Sequence, residues 1–298
     1  MRMDVLNTDD KGSLDQLFEK IGLYKKSYDY IELMNFIIRF PGIAPFNAFL
    51  LHVQRPGSIF VETAEDWRDK HHRTVKPGAR PLVILKPFRP VVFVYDILDT
   101  VGENDEEYRT GTDLFKAEIK TDIFKFRKKM GVLIDNLSAD GIILQTTDSF
   151  GSGCGGPIGQ VPPDYKIPLR YGEHLIKPCY NLMVNSHLEE AAYYTTIMHE
   201  LGHLFCGHLG TPDKKRWPNR SLIKDQVIEE FEAESVSWLL CERLGIHNPS
   251  AAYLSSYISS NETIPKISIE NVLKAVGMIE TRMKGRIKPC KKLILDEK

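Results

Sequence analysis

The segment TTIMHELGHLFCGH, Thr195 to His208, carries three of the nine histidines of this chain. His199 and His203 stand four residues apart, so on a helix their imidazoles project from one side, a turn apart. Two nitrogen donors at that spacing suit a single zinc ion. Glu200 sits beside the first histidine and points around the helix, where it can act as a base without being a ligand. This is the HExxH arrangement of zinc peptidases. Tyr194, Met198, Leu201 and Phe205 recur at spacings of 4, 3 and 4, which gives the same helix an apolar face. Ser186-His187-Leu188-Glu189 reads as a capping box that opens the helix, and Gly207 reads as its stop.

A third ligand sets the class of site. An extended HExxHxxGxxH pattern needs glycine at position 206 and histidine at position 209, where this chain has Cys206 and Leu209. His208 is one residue out of register and follows the expected helix stop, so it reads as a residue beside the ligands or at the surface. The other source is a second helix, KDQVIEEFEAESVSWLLCERLG, Lys224 to Gly245, with Val227, Phe231 and Trp238 among its apolar positions and Gly245 as its stop. Its Glu229, Glu230, Glu232 and Glu234 read in the ordinary way as a solvated acidic face. Glu230 and Glu234 nonetheless share one side, followed by the small Ser237 and Cys241. Position alone does not say which of the two meets the ion. In gluzincin peptidases a glutamate ligand is followed four residues later by an acid that orients a ligand histidine. On that pattern Glu230 is the ligand and Glu234 its supporting acid, with His208 or Glu229 next in line.

Outside these helices the reading is coarser. The strand-like YNLMVN, Tyr180 to Asn185, is expected at a sheet edge, where an extended substrate chain would pair with it. Before it come an expected helix over Ile123 to Leu137 and a strand GIILQTT. The following FGSGCGGPIGQVPPDY is rich in glycine and proline and predicts a flexible connection. It is no phosphate loop, since neither a GK[ST] nor a helix signal follows. The first part of the chain predicts helices over Leu14 to Ile21 and Tyr28 to Phe40 and a short one through FNAFLLHVQ. Strand-like runs SIFVET, PLVIL and PVVFVYDI come next, the last two joined by KPFRP. DTVGENDEEYRTGTD reads as a linker and places a boundary near Glu106 to Asp113. The expected domains are residues 1–110 and 111–298.

With 298 residues the chain has room for one large domain or two ordinary ones. A formal net charge of −1 gives it no bulk attraction to nucleic acid or membrane. The opening MRMDVLNTDDKGSLDQ lacks the apolar core of a signal peptide, and no apolar run approaches a membrane span. The five cysteines are scattered and lack CxxC spacing, which favours reduced thiols and a cytoplasmic location.

Local charge differs from the average. From Trp67 to Pro90, Arg68, Lys70, Arg73, Lys76, Arg80, Lys86 and Arg89 face only one acid, Asp69. Trp67 and Phe88 interleave with them. Basic side chains for phosphates with aromatics for bases is the pattern of single-stranded DNA binding. The competing reading is a basic strand pair that balances Glu62, Glu65, Asp96 and Asp99.

HELGHLFCGH followed by VIEEFEAESVSWLL resembles the ImmA/IrrE metallopeptidase family. The likeness is closer to the ArdC antirestriction family, through AYYTTIMHELGH, EEFEAESVSWLLCERLGI, AAYLSSYI, FNAFLLHVQRPG and VKPGARPLVILKPFRPVVFVYDI, and covers most of Pro41 to Tyr257. The resemblance implies a zincin-like catalytic domain behind an N-terminal domain that binds single-stranded DNA. The chain departs from that family in a less basic N-terminal half and in its glycine-rich stretch from Gly151 to Gly159.

The resulting expectation is an α+β protein, a zincin-like metallopeptidase domain preceded by a smaller α+β N-terminal domain. One zinc ion is held by His199, His203 and Glu230, with a position left for water. Glu200 is the general base for hydrolysis of a peptide bond in a protein substrate, with no membrane partner. Tyr253, Tyr257, His208 and His247 are candidate oxyanion donors. The alternative is a DNA-binding antirestriction or regulatory protein with little or no proteolysis.

Overall fold

The computed structural model describes residues 24, 26–86, 89–102, 123–150, 155–222, 224–246 and 263–295, with the backbone alone at 89 and 90. The first part contains α1 (Ser27–Ile38), α2 (Pro45–Gln54), β1 (Val61–Glu62), α3 (Ala64–His71), β2 (Arg73–Val75), β3 (Leu82–Lys86), β4 (Arg89–Asp96) and β5 (Thr100–Gly102). Pro45 opens α2, where a missing N–H costs nothing and the fixed φ already suits a helix. Thr63 caps α3 by accepting a hydrogen bond from the Asp66 N–H at 3.1 Å. Strands β1, β4 and β3 form one antiparallel sheet in that order, and β2 pairs with β5. SIFVET contributes only Val61 and Glu62 to a strand. The Ile59 N–H instead donates to the Asp96 carboxylate at 2.7 Å, which takes the place of a strand partner.

The second part runs α4 (Ile123–Leu137), β6 (Ile142–Thr147), β7 (Ile158–Gln160), β8 (Leu169–Tyr171), β9 (His174–Ile176), β10 (Tyr180–Asn185), α5 (Glu190–Cys206), α6 (Gln226–Arg243), α7 (Ile269–Lys284) and β11 (Ile294–Leu295). Its main sheet has the order β6-β10-β7, with β10 parallel to β6 and antiparallel to β7. YNLMVN is therefore the central strand and not an edge. Its second neighbour is the end of the glycine-rich stretch, which is strand where a flexible connection was expected. Gly156 makes this pairing possible. Its φ is +144°, and a Cβ there would fall 1.9 Å from the Met183 carbonyl oxygen, so only glycine fits.

Two other boundaries differ from the sequence reading. Helix α5 starts at Glu190 without a side-chain cap, because Ser186 continues the sheet by donating its N–H to the Thr147 carbonyl at 2.9 Å. Glu190 is held by Arg127 through two bonds of 2.7 Å. Val227 is 52% exposed in the first turn of α6 and is not a core position. Asp225 caps that helix through the N–H groups of Val227 and Ile228. The α5 stop is as expected, with Gly207 in the left-handed region at φ 90°.

One hydrophobic cluster extends from Tyr24 to Met283 and joins α1 and α2 to α5, α6 and α7. Tyr30 donates its hydroxyl to Ser235 Oγ at 2.6 Å, and Arg243 donates to the carbonyls of Ile37 and Phe40 at 2.8 and 2.9 Å. The N-terminal helices thus form part of the packing behind α6. The expected helix over Leu14 to Ile21 and the boundary near Glu106 to Asp113 lie outside the described residues. Among the described residues no helix is long and apolar enough to cross a membrane.

Candidate metal centre

Helices α5 and α6 pack on each other more extensively than any other helix pair described, and their facing sides bring four polar groups together. The Nε2 atoms of His199 and His203 lie 3.2 Å apart. One carboxylate oxygen of Glu230 is 3.4 Å from His199 Nε2, and the other is 3.7 Å from His203 Nε2. Donors around a four-coordinate zinc ion, each roughly 2.0–2.2 Å from it, stand roughly 3.3–3.5 Å from one another. The His199 separations of 3.2 and 3.4 Å lie close to that spacing, while the Glu230 oxygen nearer His203 stands slightly wider at 3.7 Å, and two imidazole nitrogens with one carboxylate suit the ion chemically. Glu234 lies on the far side of His199, 3.4 Å from Nδ1, where an acid orients an imidazole without touching what Nε2 binds. The Glu230 side chain is 40% exposed, so the group opens to solvent on that side.

The electrostatics follow from this clustering. Burial alone would lower the His199 pKa, but Glu230 and Glu234 outweigh it and raise the value to about 10. His199 and His203 hold Glu230 well below the usual carboxylate range. Glu200 goes the other way. Burial raises its pKa, opposed by the two histidines and by the Ile158 N–H, which donates to Oε2 at 2.9 Å. That N–H comes from β7, so the glycine-rich stretch anchors the glutamate of the motif.

His208 is neither at the surface nor a donor toward an open face of the site. Its side chain is buried, with Nδ1 3.1 Å from His203 Nδ1 and Nε2 2.8 Å from Glu232 Oε2. Both ring nitrogens are occupied behind His203, which removes it from the oxyanion candidates. Tyr253, Tyr257 and His247 lie outside the described residues.

Glu232 corrects the reading of an acidic solvated face, because its side chain is 0% exposed. It accepts two bonds from Arg220, at 2.5 and 2.8 Å, and one from the Ser268 N–H at 2.7 Å. Burial raises its pKa, but His208 and Arg220 outweigh that and leave it lowered. The available signal was its place in the stripe Ile228, Glu232, Val236, Leu239, where an apolar residue belongs. Cys206, His208 and Glu232 form a second cluster of possible donors, with ligand atoms within 4.8 Å of one another. The Arg220 guanidinium already balances Glu232 there, which makes the cluster a poor cation site.

The proposed nucleic-acid stretch divides. Trp67 is fully buried and donates its indole N–H to the Tyr95 carbonyl at 2.8 Å, so it offers no stacking face. Arg73 is buried against Thr100, with a bond of 2.7 Å. These two are excluded as contacts because their polar groups hold the fold together. Arg68 pairs with Asp69 and Lys70 with Asp66 at the surface, and Lys76 donates to the Leu98 carbonyl at 2.8 Å. Arg80 and Lys86 are exposed. Phe88 and the Arg89 side chain lie outside the described residues.

No family model and no curated protein matches the chain. A solved structure, the antirestriction ArdC protein from the R388 plasmid in its metal-free form, is similar at 15% identity and a TM-score of 0.34. The match covers 80% of this chain and 81% of that one. A likeness this distant assigns no activity.

Proposed function

We propose that this chain is a zinc-dependent metallopeptidase that hydrolyses a peptide bond in a protein substrate. The observation that carries the reading is the close grouping of His199, His203 and Glu230 donor atoms, at separations of 3.2 to 3.7 Å near the edges of a zinc tetrahedron, beside the buried carboxylate of Glu200. A zinc ion bound by these three residues supplies Lewis acidity toward water and toward a scissile carbonyl. Glu200 takes a proton from the attacking water and delivers it to the leaving amine. The Ile158 N–H holds one carboxylate oxygen in place during that exchange. Glu234 fixes the His199 ring so that Nε2 faces the ion.

The test is a proteomic comparison of cells expressing the wild type and Glu200→Gln. A protein whose fragments accumulate with the wild type alone supports the reading. Identical fragment sets with both forms contradict it.

A second reading, a single-stranded-DNA-binding antirestriction or regulatory protein with little proteolysis, has one specific observation behind it. Phe93 is 54% exposed and pairs with Val83, on a hairpin whose β3 strand ends in the exposed Lys86. An exposed ring on the same hairpin as an exposed lysine suits base stacking with a phosphate contact.

A further inference from the structure

We infer that His208, Glu232 and Arg220 are positioning residues for His203: a buried relay that fixes which of its ring nitrogens faces the ion. The inference rests on the metal-centre reading and extends it to three residues that touch no metal donor atom of the site. It comes from the polarity of the chain of contacts. Arg220 can only donate, and it places two N–H groups on Glu232 at 2.5 and 2.8 Å. The Ser268 N–H adds a third donor at 2.7 Å. Glu232 is therefore a carboxylate that only accepts, and the His208 Nε2 beside it, at 2.8 Å, must carry the proton.

With that single proton on its ring, His208 presents a lone pair at Nδ1. The atom facing it, 3.1 Å away, is His203 Nδ1, which must be the donor. Only one tautomer of His203 meets that demand, with the proton on Nδ1 and the lone pair on Nε2. Nε2 is the nitrogen that faces His199 and Glu230. The direction set by Arg220 is thus passed through a carboxylate and an imidazole to the donor atom of the ligand. An outer partner that fixes tautomer and ring orientation raises the affinity of a metal site by about 10- to 100-fold.

Burial strengthens the device. Both the His208 and Glu232 side chains are buried, at 3% and 0% exposure, so water cannot replace either partner. Arg220 also donates to the Cys206 carbonyl at 3.2 Å, which ties the relay to the last turn of α5. His199 is oriented by Glu234 from α6 itself, whereas His203 is oriented through a residue of the segment between the two helices.

The experiment has two readouts on the full chain. Long-range proton–nitrogen NMR on nitrogen-15 histidine-labelled, metal-free protein reports the tautomers directly. The expected result is His203 protonated on Nδ1 and His208 on Nε2, and the opposite pattern overturns the relay. Zinc affinity by chelator competition is then measured for the wild type, His208→Ala, Glu232→Gln, Cys206→Ala and Glu230→Ala, with circular dichroism to confirm folding. The relay requires His208→Ala to bind about 10- to 100-fold more weakly, with Cys206→Ala unchanged. Should His208→Ala fail to fold, the Glu232→Gln variant keeps the side-chain volume and must show a mixed His203 tautomer and weaker zinc. Unchanged affinity and an unchanged His203 tautomer in these variants overturn the relay while leaving the metal centre intact. A wild type without zinc, or Glu230→Ala with undiminished affinity, overturns the metal centre itself. Loss of zinc in Cys206→Ala places the ion on the Cys206 cluster and overturns both.

Discussion

Gly202 lies directly against Ala233, and a Cβ built on it would come within 3.0 Å of the Ala233 Cα and 3.2 Å of Val236 Cβ. The glycine within the HExxH motif is thus the point at which α5 and α6 approach each other. Without that approach the Glu230 carboxylate cannot reach the two histidines. Gly202→Val is expected to push the helices apart, cost about 1–3 kcal/mol in stability and weaken zinc by more than tenfold. Thermal unfolding and chelator competition measure the two effects. Zinc affinity equal to the wild type would show that the site does not depend on this close approach.

Glu230 and Glu234 should separate cleanly. Glu230→Ala removes the carboxylate that reaches both Nε2 atoms and is expected to abolish zinc retention through dialysis. Glu234→Ala removes only the partner of His199 Nδ1 and should weaken zinc by about 10- to 100-fold. Dissociation constants for the folded variants decide between these roles, and the reverse order would exchange them.

Trp67 and the pair Arg80 and Lys86 make opposite predictions on the nucleic-acid question. Trp67→Ala empties a fully buried position and should cost about 3–5 kcal/mol. Arg80→Ala with Lys86→Ala should leave stability within about 0.5 kcal/mol while lowering affinity for single-stranded DNA. The slope of log K against log salt should fall by roughly 0.7 for each phosphate that the variant no longer neutralises. A titration in which the double variant binds like the wild type at every salt concentration removes these residues from any DNA surface.

The outer edge of β3 is closed by two amide side chains from α2. Asn47 exchanges a pair of hydrogen bonds with the Leu85 backbone at 2.8 and 2.9 Å, and Gln54 does the same with Val83 at 2.8 Å for both. Each amide stands in for the peptide group of a neighbouring strand. Asn47→Ala with Gln54→Ala should therefore open an edge that pairs with another chain and lower stability by about 1–3 kcal/mol. Light scattering after size exclusion should show association that grows with concentration. A strictly monomer-sized variant beside a monomer-sized wild type would contradict this.

What the sequence disclosed of the site follows from helical periodicity. His199 and His203, and Glu230 and Glu234, are each four apart, so a regular helix alone determines that each pair shares a side. Their meeting across two helices needed the packing at Gly202, which spacing cannot report. Glu232 was misread because an acid between two acids looks solvated, and its partner Arg220 comes from a connector without periodicity. Strand β7 was hidden because a short strand in a glycine-rich run lacks alternation, and Gly156 reveals its purpose only against the Met183 carbonyl. Trp67 and Arg73 were assigned to a surface by residue type, whereas long-range bonds to Tyr95 and Thr100 place them inside. The long helices and the β3–β4 hairpin were legible because their apolar patterns extend over whole elements.

The most direct measurement of the metal centre is zinc K-edge X-ray absorption on the full chain reconstituted with one equivalent of zinc and dialysed. The expected spectrum shows only nitrogen and oxygen neighbours at about 2.0–2.2 Å, with the outer-shell scattering of two imidazoles, and this signal disappears in Glu230→Ala. A sulfur neighbour at about 2.3 Å would place the ion on Cys206, and the absence of retained zinc would contradict the centre altogether.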